Sequence, residues 1–448
     1  MTAHRPNVVV VGGGFAGLNA VHALRHADAD VTLVDARNYH TFQPLLYQVA
    51  TAYLPAEEVG TTLRAIFRRQ RNVTVRLGTV TTIEAGDVVR LDAGDLLPFD
   101  YLIVAAGAES NYFGIAGMEQ HAWPLYTLPD AARLRARLLA LEYTQTGQPA
   151  RPATVVVVGG GPTGVETAGA LATMTSEQVG PRAGLHVVLV EAAARLLSAG
   201  FTARSSQRAC ADLRGRGVEI RLGVPVASAD EHGVTLADGS RIEAAVVVWA
   251  AGVHANALGG RLGLETGRQR RILVDNELRV PGHDRVFAAG DISATPTRTD
   301  ATALPMLAPA AIQTGAHAGA QVARLIRGQP LVPFRYRDKG MVAVLGRGDA
   351  VAELPLLPGA HRSSRFRWRF AGRAAWLLWL GVHIVYLIGF RNRLKVLIDW
   401  GWTYFTSHGQ GALLLTPDAP ALSRPSDLDP PYPQPETNRS ADDTAGIT

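Results

Sequence analysis

Val155-Val156-Val157-Val158-Gly159-Gly160-Gly161-Pro162-Thr163-Gly164 leads through a helical run to His186-Val187-Val188-Leu189-Val190-Glu191, and the architecture can be read outward from this stretch. Two apolar runs flank a glycine-rich turn. Gly159, Gly161 and Gly164 have the G-x-G-x-x-G spacing, with Pro162 and Thr163 between the last two. The first glycine permits the tight turn, the second lets backbone approach a pyrophosphate, and the third lets helix pack on strand. The helix N-terminus then offers unpaired N–H groups to phosphate. Glu191, at the end of the second strand, is placed to accept from a ribose 2′-OH and to repel a 2′-phosphate, so NADH is expected over NADPH.

The plan occurs twice. Val8-Val9-Val10-Val11 is followed by Gly12-Gly13-Gly14-Phe15-Ala16-Gly17, and then by Val31-Thr32-Leu33-Val34-Asp35. Both copies end alike: Tyr101-Leu102-Ile103-Val104-Ala105-Ala106-Gly107 matches Val246-Val247-Val248-Trp249-Ala250-Ala251-Gly252. About 95 positions separate Gly12 from Gly107 and about 93 separate Gly159 from Gly252, so a whole nucleotide-binding unit is repeated.

At 448 residues, 47% hydrophobic and 19% charged, the chain is long enough for two or three domains with full cores. The single cysteine, Cys210, excludes a disulfide framework and a cysteine-based metal site. It also excludes flavin disulfide reductases and sulfide-oxidising relatives, which need two redox cysteines. Cys210 sits in a helical pattern over 202–216 and is expected to pack as a small hydrophobe. No metal cluster is seen. The first strand is expected near Asn7, so no leader is expected and the protein is read as cytosol-facing. The net charge of +5 suits nucleic acid or an anionic membrane, and its location must decide between them.

Residues 38–54 show no clean period and are rich in aromatics and amides, as a cofactor-lining loop or a buried connection would be. A helix is expected over 57–69, then a polar alternating meander over 80–100 with turns at Ala85-Gly86-Asp87 and Ala93-Gly94-Asp95. A helix over 129–143 crosses to the second unit, whose own helix runs from Gly164 to about Gln178. After it, 272–330 returns to the first unit through Val286-Phe287-Ala288-Ala289-Gly290-Asp291, where small residues let an acid approach a ligand. A helix over 307–325 places Gln313 and His317 on one face, reaching the cofactor region or facing solvent.

From His361 the character changes. Arg362, Arg365, Arg367, Arg369 and Arg373 alternate with Phe366, Trp368 and Phe370. Residues 374–390 are apolar but span only about 25 Å as a helix, short of a hydrocarbon core of about 30 Å. Basic residues lie on both flanks (Arg373 before; Arg391, Arg393 and Lys395 after), which gives no charge asymmetry. A helix or helical hairpin lying in the membrane interface is expected, with Trp400, Trp402 and Tyr404 as anchors; a helix pair buried against the body or in a dimer is the alternative. The tail over 417–448 is polar, Pro-rich and expected to be disordered.

With these residues in view, the chain resembles the type II NADH:quinone oxidoreductases, within the flavoproteins that carry two dinucleotide-binding domains. The resemblance covers about residues 6–410. It is carried by the two glycine motifs, by Phe42-Gln43-Pro44-Leu45-Leu46-Tyr47-Gln48-Val49-Ala50-Thr51, by Ala288-Ala289-Gly290-Asp291, and by Gly389-Phe390-Arg391-Asn392-Arg393-Leu394. It implies an α/β fold of two Rossmann-like domains: a first domain from 1–115 and 272–335, a second from 116–271, and a membrane-docking region over 336–410. It implies FAD in the first unit, held by Gly12, Gly14, Phe15, Ala16, Gly17, Asp35, Arg37, Val80, Ala106, Gly107, Gly290 and Asp291. NADH is implied in the second, held by Gly159, Gly161, Pro162, Thr163, Gly164, Glu191, Ala251 and Gly252. Glu166 and Gln313 are the implied catalytic pair, acting on a quinone by a ping-pong mechanism without proton pumping. A peripheral place on the cytoplasmic face of the cell membrane, contact with anionic lipid through 361–406, a homodimer and no nucleic-acid partner are also implied. One departure stands out: the family's quinone-site helix often carries a further glutamine where this chain has Pro309, which offers neither amide nor N–H. A soluble reductase of a ferredoxin- or rubredoxin-like protein, or an NADH-responsive sensor, shares both nucleotide units and is the alternative.

Overall fold

The computed structural model describes residues 5–84, 87–145, 152–177, 185–297, 303–356 and 367–406. Runs of valine bounded by glycine form strands covered on both faces, as parallel sheets require. The first sheet orders Val286–Ala288, Tyr101–Val104, Asn7–Val11, Asp30–Asp35 and Val73–Leu77, all parallel. The second orders Ala122–Pro124, Val246–Trp249, Thr154–Val158, His186–Glu191 and Glu219–Leu222, again all parallel. Val8–Val11 and Val155–Val158 are buried throughout, and each such valine contributes about 1.5–3 kcal/mol relative to exposure. The strands that follow the two repeats, Ala108–Ser110 and Val253–Ala255, pair antiparallel and tie one unit to the other.

Each helix after a glycine turn is pressed against a different partner. The Phe15–Ala23 helix meets the Ala308–Ile326 helix at two glycines: a Cβ on Gly315 would lie 2.0 Å from the Ala16 carbonyl oxygen, and one on Gly319 2.3 Å from that of Ala20. The Pro162–Glu177 helix instead meets the Met341–Gly346 strand, where a Cβ on Gly169 would lie 2.2 Å from the Leu345 oxygen. Cys210 lies partly buried in the Ala203–Gly215 helix, packed against the core.

Three expectations need correction. Residues 57–69 are not one helix: Ala56–Val59 and Leu63–Phe67 are separated by the strand Gly60–Thr62, paired with Tyr39–Thr41. Extended Gly60 and two β-branched threonines favour the strand, which also satisfies the backbone of 39–41. The stretch 38–54 is the buried connection of its two expected readings, and regular rather than aperiodic: after that strand come a 3₁₀ turn, Gln43–Leu45, and a buried helix, Leu46–Ala50. The arginine–aromatic alternation is a β-strand, Arg367–Ala371, the edge of a three-stranded antiparallel sheet with Asp349–Pro355 and Met341–Gly346. Arg367, at the start of this strand, turns inward to pair with Asp338, both side chains 7% exposed, so this arginine is not a surface cation. Arg362, Arg365, Phe366, the Ala85-Gly86 turn and the 417–448 tail lie outside the described residues.

The apolar run forms a helical hairpin, Arg373–Tyr386 and Phe390–Thr406, turning through Gly389 at φ +93°. Among the described residues no helix is long and apolar enough to cross a membrane. The hairpin is sewn to itself and to the first domain. Arg393 donates to the carbonyls of Leu387 (2.7 Å) and Val385 (2.8 Å), and Asn392 donates to the Thr61 hydroxyl (3.1 Å). Arg393 is therefore a helix-end clamp, which corrects its place among the flanking membrane cations.

Candidate functional site

The two glycine turns have the same geometry, and each glycine has a separate reason. A Cβ on Gly17 would lie 1.7 Å from the Gly12 oxygen, and one on Gly164 1.8 Å from the Gly159 oxygen, so the third glycine lets the helix close on the turn. The second glycine is the opposite case. Nothing lies within 4 Å of a Cβ built on Gly14 or on Gly161. Those openings stand at the N-termini of the Phe15–Ala23 and Pro162–Glu177 helices, with space and donors for a pyrophosphate at both. Pro162 and Thr163 form the first turn of the second helix, where a missing N–H costs nothing.

The strand-end acids brace the turns. Asp35 accepts from Gly13 N (2.5 Å) and Arg37 N (2.7 Å); Glu191 accepts from Gly160 N and from Ala193 N (2.7 Å). Burial, the largest cause, raises the Asp35 pKa against those two donors. Each acid thus fixes the middle glycine of its own turn, with acceptor capacity left for a ribose hydroxyl. At the far edge of each cleft Gly107 O accepts from Asn256 N (3.0 Å), and Gly252 O accepts from Asn111 N (3.1 Å). Ala106-Gly107 and Ala251-Gly252 therefore join the units as well as line them.

The return segment closes the first site. Gly290, at φ +78°, lies so near the first helix that a Cβ would come within 2.8 Å of the Ala16 Cβ, and its N–H donates to the Thr314 hydroxyl (2.9 Å). Asp291 follows, its pKa pushed up to about 6 by burial despite the nearby Arg271 guanidinium. Arg271 is itself held inward by the carbonyls of Ser293 and Leu304, both at 2.7 Å. A carboxyl buried this way beside an open phosphate turn fits a ligand that brings hydroxyls, as a flavin dinucleotide does. The Phe15 ring meets His40 and Phe42 edge-on, at 4.9 and 5.8 Å. His40 is bonded to the Gly13 oxygen (3.0 Å) and kept neutral by burial, its pKa lowered to about 4. The Val80 side chain is buried in the core at the start of the Val80–Glu84 strand, so only its backbone is left for a ligand.

Glu166 lies one turn into the second helix, 8% exposed. It accepts from Val344 N (3.1 Å), with the Trp379 indole as a second polar neighbour. Burial outweighs both and raises its pKa to about 8, so the carboxyl carries its proton at neutral pH. It lines a cavity of about 80 Å³, walled by Tyr47, Tyr53, Trp376, Trp379 and Trp400. Its aromatic lining suits the edge of a flat organic ring. The walls come from four places: the Leu46–Ala50 helix, the second unit, the C-terminal sheet and the helical hairpin.

Gln313 is elsewhere. Its amide donates to Pro309 O (3.1 Å) and Arg337 O (3.0 Å) and accepts from Arg337 N (3.0 Å). His317 meets Val332 O at 2.9 Å. Both side chains fasten the helix to the strap over 332–337, and Gln313 is not among the residues lining the Glu166 pocket. Pro309 occupies the first turn of the Ala308–Ile326 helix, where its fixed φ suits the helix start. Sequence reasoning did not single out Tyr47, Gln48, Trp379 or Trp400 as site residues. The aromatic and amide content of 38–54 was the available signal for the first two. Trp400, expected as an interfacial anchor, instead turns into the pocket and donates to Gln48; nothing local marks Trp379, and both tryptophans reach the pocket only through the hairpin's packing.

The pyridine nucleotide-disulphide oxidoreductase family model matches residues 6–315. A type II NADH:quinone oxidoreductase of Mycobacterium tuberculosis, NdhA, is 38% identical over 92% of this chain and 90% of its own length. One from Staphylococcus saprophyticus is 30% identical over 78% of this chain and 90% of its own length. Among solved structures, NDH2 of Plasmodium falciparum in complex with NADH superposes with a TM-score of 0.78 at 19% identity, covering 90% of this chain and 99% of that one.

Proposed function

The chain belongs to the type II NADH:quinone oxidoreductases, FAD-dependent enzymes that pass electrons from NADH to a quinone, and from that premise we propose how its residues divide the work. The observation that carries the division is the Glu166 carboxyl, buried in an aromatic pocket between the second nucleotide unit and the C-terminal hairpin, where burial raises its pKa. Gly12, Gly14 and Gly17 with Asp35, Gly290 and Asp291 hold FAD. Gly159, Gly161 and Gly164 with Glu191 hold NADH. The pocket takes the quinone ring. Bound FAD supplies the two-electron chemistry, hydride in from NADH and electrons out to quinone. Glu166 supplies one of the two protons that quinone reduction consumes and is recharged from solvent through the pocket mouth. The aromatic walls exclude water from the reacting ring. Gln313 acts at a distance, by holding the 332–337 strap on its helix.

The hairpin is the proposed membrane contact. Leu377, Val382, Val385 and Tyr386 on its first helix and Leu394, Leu397 and Ile398 on its second are 38–66% exposed. Trp368 and Phe370 extend the patch from the adjacent strand, with Arg369 and Arg373 exposed beside them. An apolar surface of this extent with cations at its rim suits peripheral docking on anionic lipid, here on the cytoplasmic face of the cell membrane. A homodimer that leaves this patch free, and no nucleic-acid partner, complete the reading.

The test is the visible spectrum of the purified protein. NADH should bleach the flavin bands, and a short-chain quinone should restore them. Recolouring by a ferredoxin-like protein but not by quinone would transfer the assignment to a soluble reductase. For docking, Leu397→Asp with Ile398→Asp should abolish cosedimentation with anionic vesicles while the protein stays yellow. Retained cosedimentation would refute the lipid surface. Truncation is a poor test, because Trp379, Leu387 and Val396 are part of the core.

A further inference from the structure

A chain of hydrogen bonds runs from the second hairpin helix into the pocket. Trp400 Nε1 donates to Gln48 Oε1 at 2.8 Å, and Gln48 Nε2 donates to the Tyr47 hydroxyl oxygen at 3.0 Å. All three residues line the cavity that holds Glu166. The direction of the chain is not free. An indole N–H only donates, so the Gln48 side chain must turn its oxygen to Trp400. Its NH₂ must then face Tyr47, and the phenol oxygen is the acceptor in that bond. The phenolic hydrogen is thereby turned away from Gln48, and Tyr47 itself lines the cavity.

We propose that Tyr47 donates this hydrogen bond to a carbonyl oxygen of the bound acceptor, and that Gln48 and Trp400 are positioning residues that set the direction of the phenolic hydrogen. Burial and the neighbouring Glu166 hold the Tyr47 pKa well above the ordinary phenol value, which keeps the donor in place. A quinone carbonyl fits this donor because it accepts but cannot donate. Tyr47 keeps its proton throughout, so the inference adds nothing to the electron or proton balance. It rests on the quinone reading of the pocket and deepens it. The hairpin thereby gains a second role, because Trp400 links the proposed membrane-facing element directly to substrate orientation.

The experiment measures kcat and KM for a short-chain benzoquinone in the full-length flavoprotein, normalised to bound flavin. The variants are Tyr47→Phe, Trp400→Phe and the double variant. Tyr47→Phe should raise the quinone KM about tenfold, the value of one well-aligned hydrogen bond, with kcat changing less than about twofold. Trp400→Phe frees the Gln48 amide to flip and take the phenolic hydrogen itself, so it should raise KM about threefold. The double variant should be no worse than Tyr47→Phe, because Trp400 acts only through the phenol. An unchanged KM in Tyr47→Phe, or full additivity in the double variant, overturns the inference. If Tyr47→Phe loses its flavin, Gln48→Leu takes its place: no rise in quinone KM there overturns the inference equally. Wild-type protein that fails to reduce quinone removes the reading of the pocket and this inference with it, whereas a quinone-active wild type with an indifferent Tyr47→Phe removes the inference alone.

Discussion

Asn19 and Glu166 occupy the same place in the two nucleotide units, two residues past the third glycine of each turn. The Asn19 amide turns back to the Phe15 carbonyl (2.8 Å) and stays within its own helix. The Glu166 carboxyl leaves its helix, meets Val344 N on the C-terminal sheet, and is buried in the aromatic pocket. The surroundings of the two helices make the difference. The first packs against the Ala308–Ile326 helix through Gly315 and Gly319, which seals it. The second packs against a strand edge and faces the hairpin across a cavity. One repeated plan therefore ends in a helix sealed by another helix in one copy and, in the other, in a helix that borders a cavity.

The largest effect that would break this comparison comes from the second glycine of each turn. Gly14→Val places branches in the space left for the flavin pyrophosphate, and the purified protein should be colourless. Gly161→Val should stay yellow, with kcat/KM for NADH reduced roughly 100-fold. A yellow Gly14→Val protein paired with a colourless Gly161→Val protein would reverse the assignment of the two units.

The next effect concerns the paired positions themselves. Glu166→Gln keeps the shape but removes the transferable proton, and quinone turnover should fall about 100-fold or more. Wild-type turnover should also decline as pH rises through about 8, where the carboxyl loses its proton, and the variant should lack that limb. Asn19→Ala, at the matching position, should leave the limb in place. The same shift affects stability. In the unfolded chain Glu166 titrates near 4.5, so its contribution is complete below that pH and is lost as pH rises through about 8. A Tm series across pH 4–9 in wild type and Glu166→Gln separates this contribution from the rest.

A smaller effect distinguishes the bracing acids. Glu191→Gln keeps one acceptor oxygen for the turn but removes the charge that repels a 2′-phosphate. It should narrow the NADH-over-NADPH preference roughly tenfold, measured as the ratio of kcat/KM values. A wild-type preference for NADPH would remove Glu191 from that role.

The smallest effect is at the hairpin. Glu58 is buried against Asp399 of the second hairpin helix, and burial followed by the Asp399 carboxyl raises its pKa to about 7. The pair holds together best with a proton between them. Its contribution is complete below pH 4.5 and is lost as pH rises through about 7. Hydrogen exchange in residues 390–406 should quicken across that window in wild type and should be flatter in Glu58→Gln.

The glycine spacing, the valine runs and the closing Ala-Ala-Gly segments determined the two parallel sheets, because each is a local rule about turns, burial and close approach. The acids at the strand ends were legible for the same reason. The 57–69 segment was not, since its helical composition yields to a strand pairing with residues 39–41 that no local pattern announces. The inward course of Arg367 was hidden too, because a period of two in an edge strand does not say which face meets Asp338. The Glu166 pocket was beyond the sequence altogether. Its walls come from residues 47, 166, 344, 379 and 400, and only the packing of the hairpin on the sheet brings those side chains together. Sequence thus determined the strands of the two parallel sheets and the two nucleotide turns, which follow rules local to short segments. Tertiary structure decided the chamber, because burial, a shifted pKa and a directed hydrogen-bond chain exist only between segments.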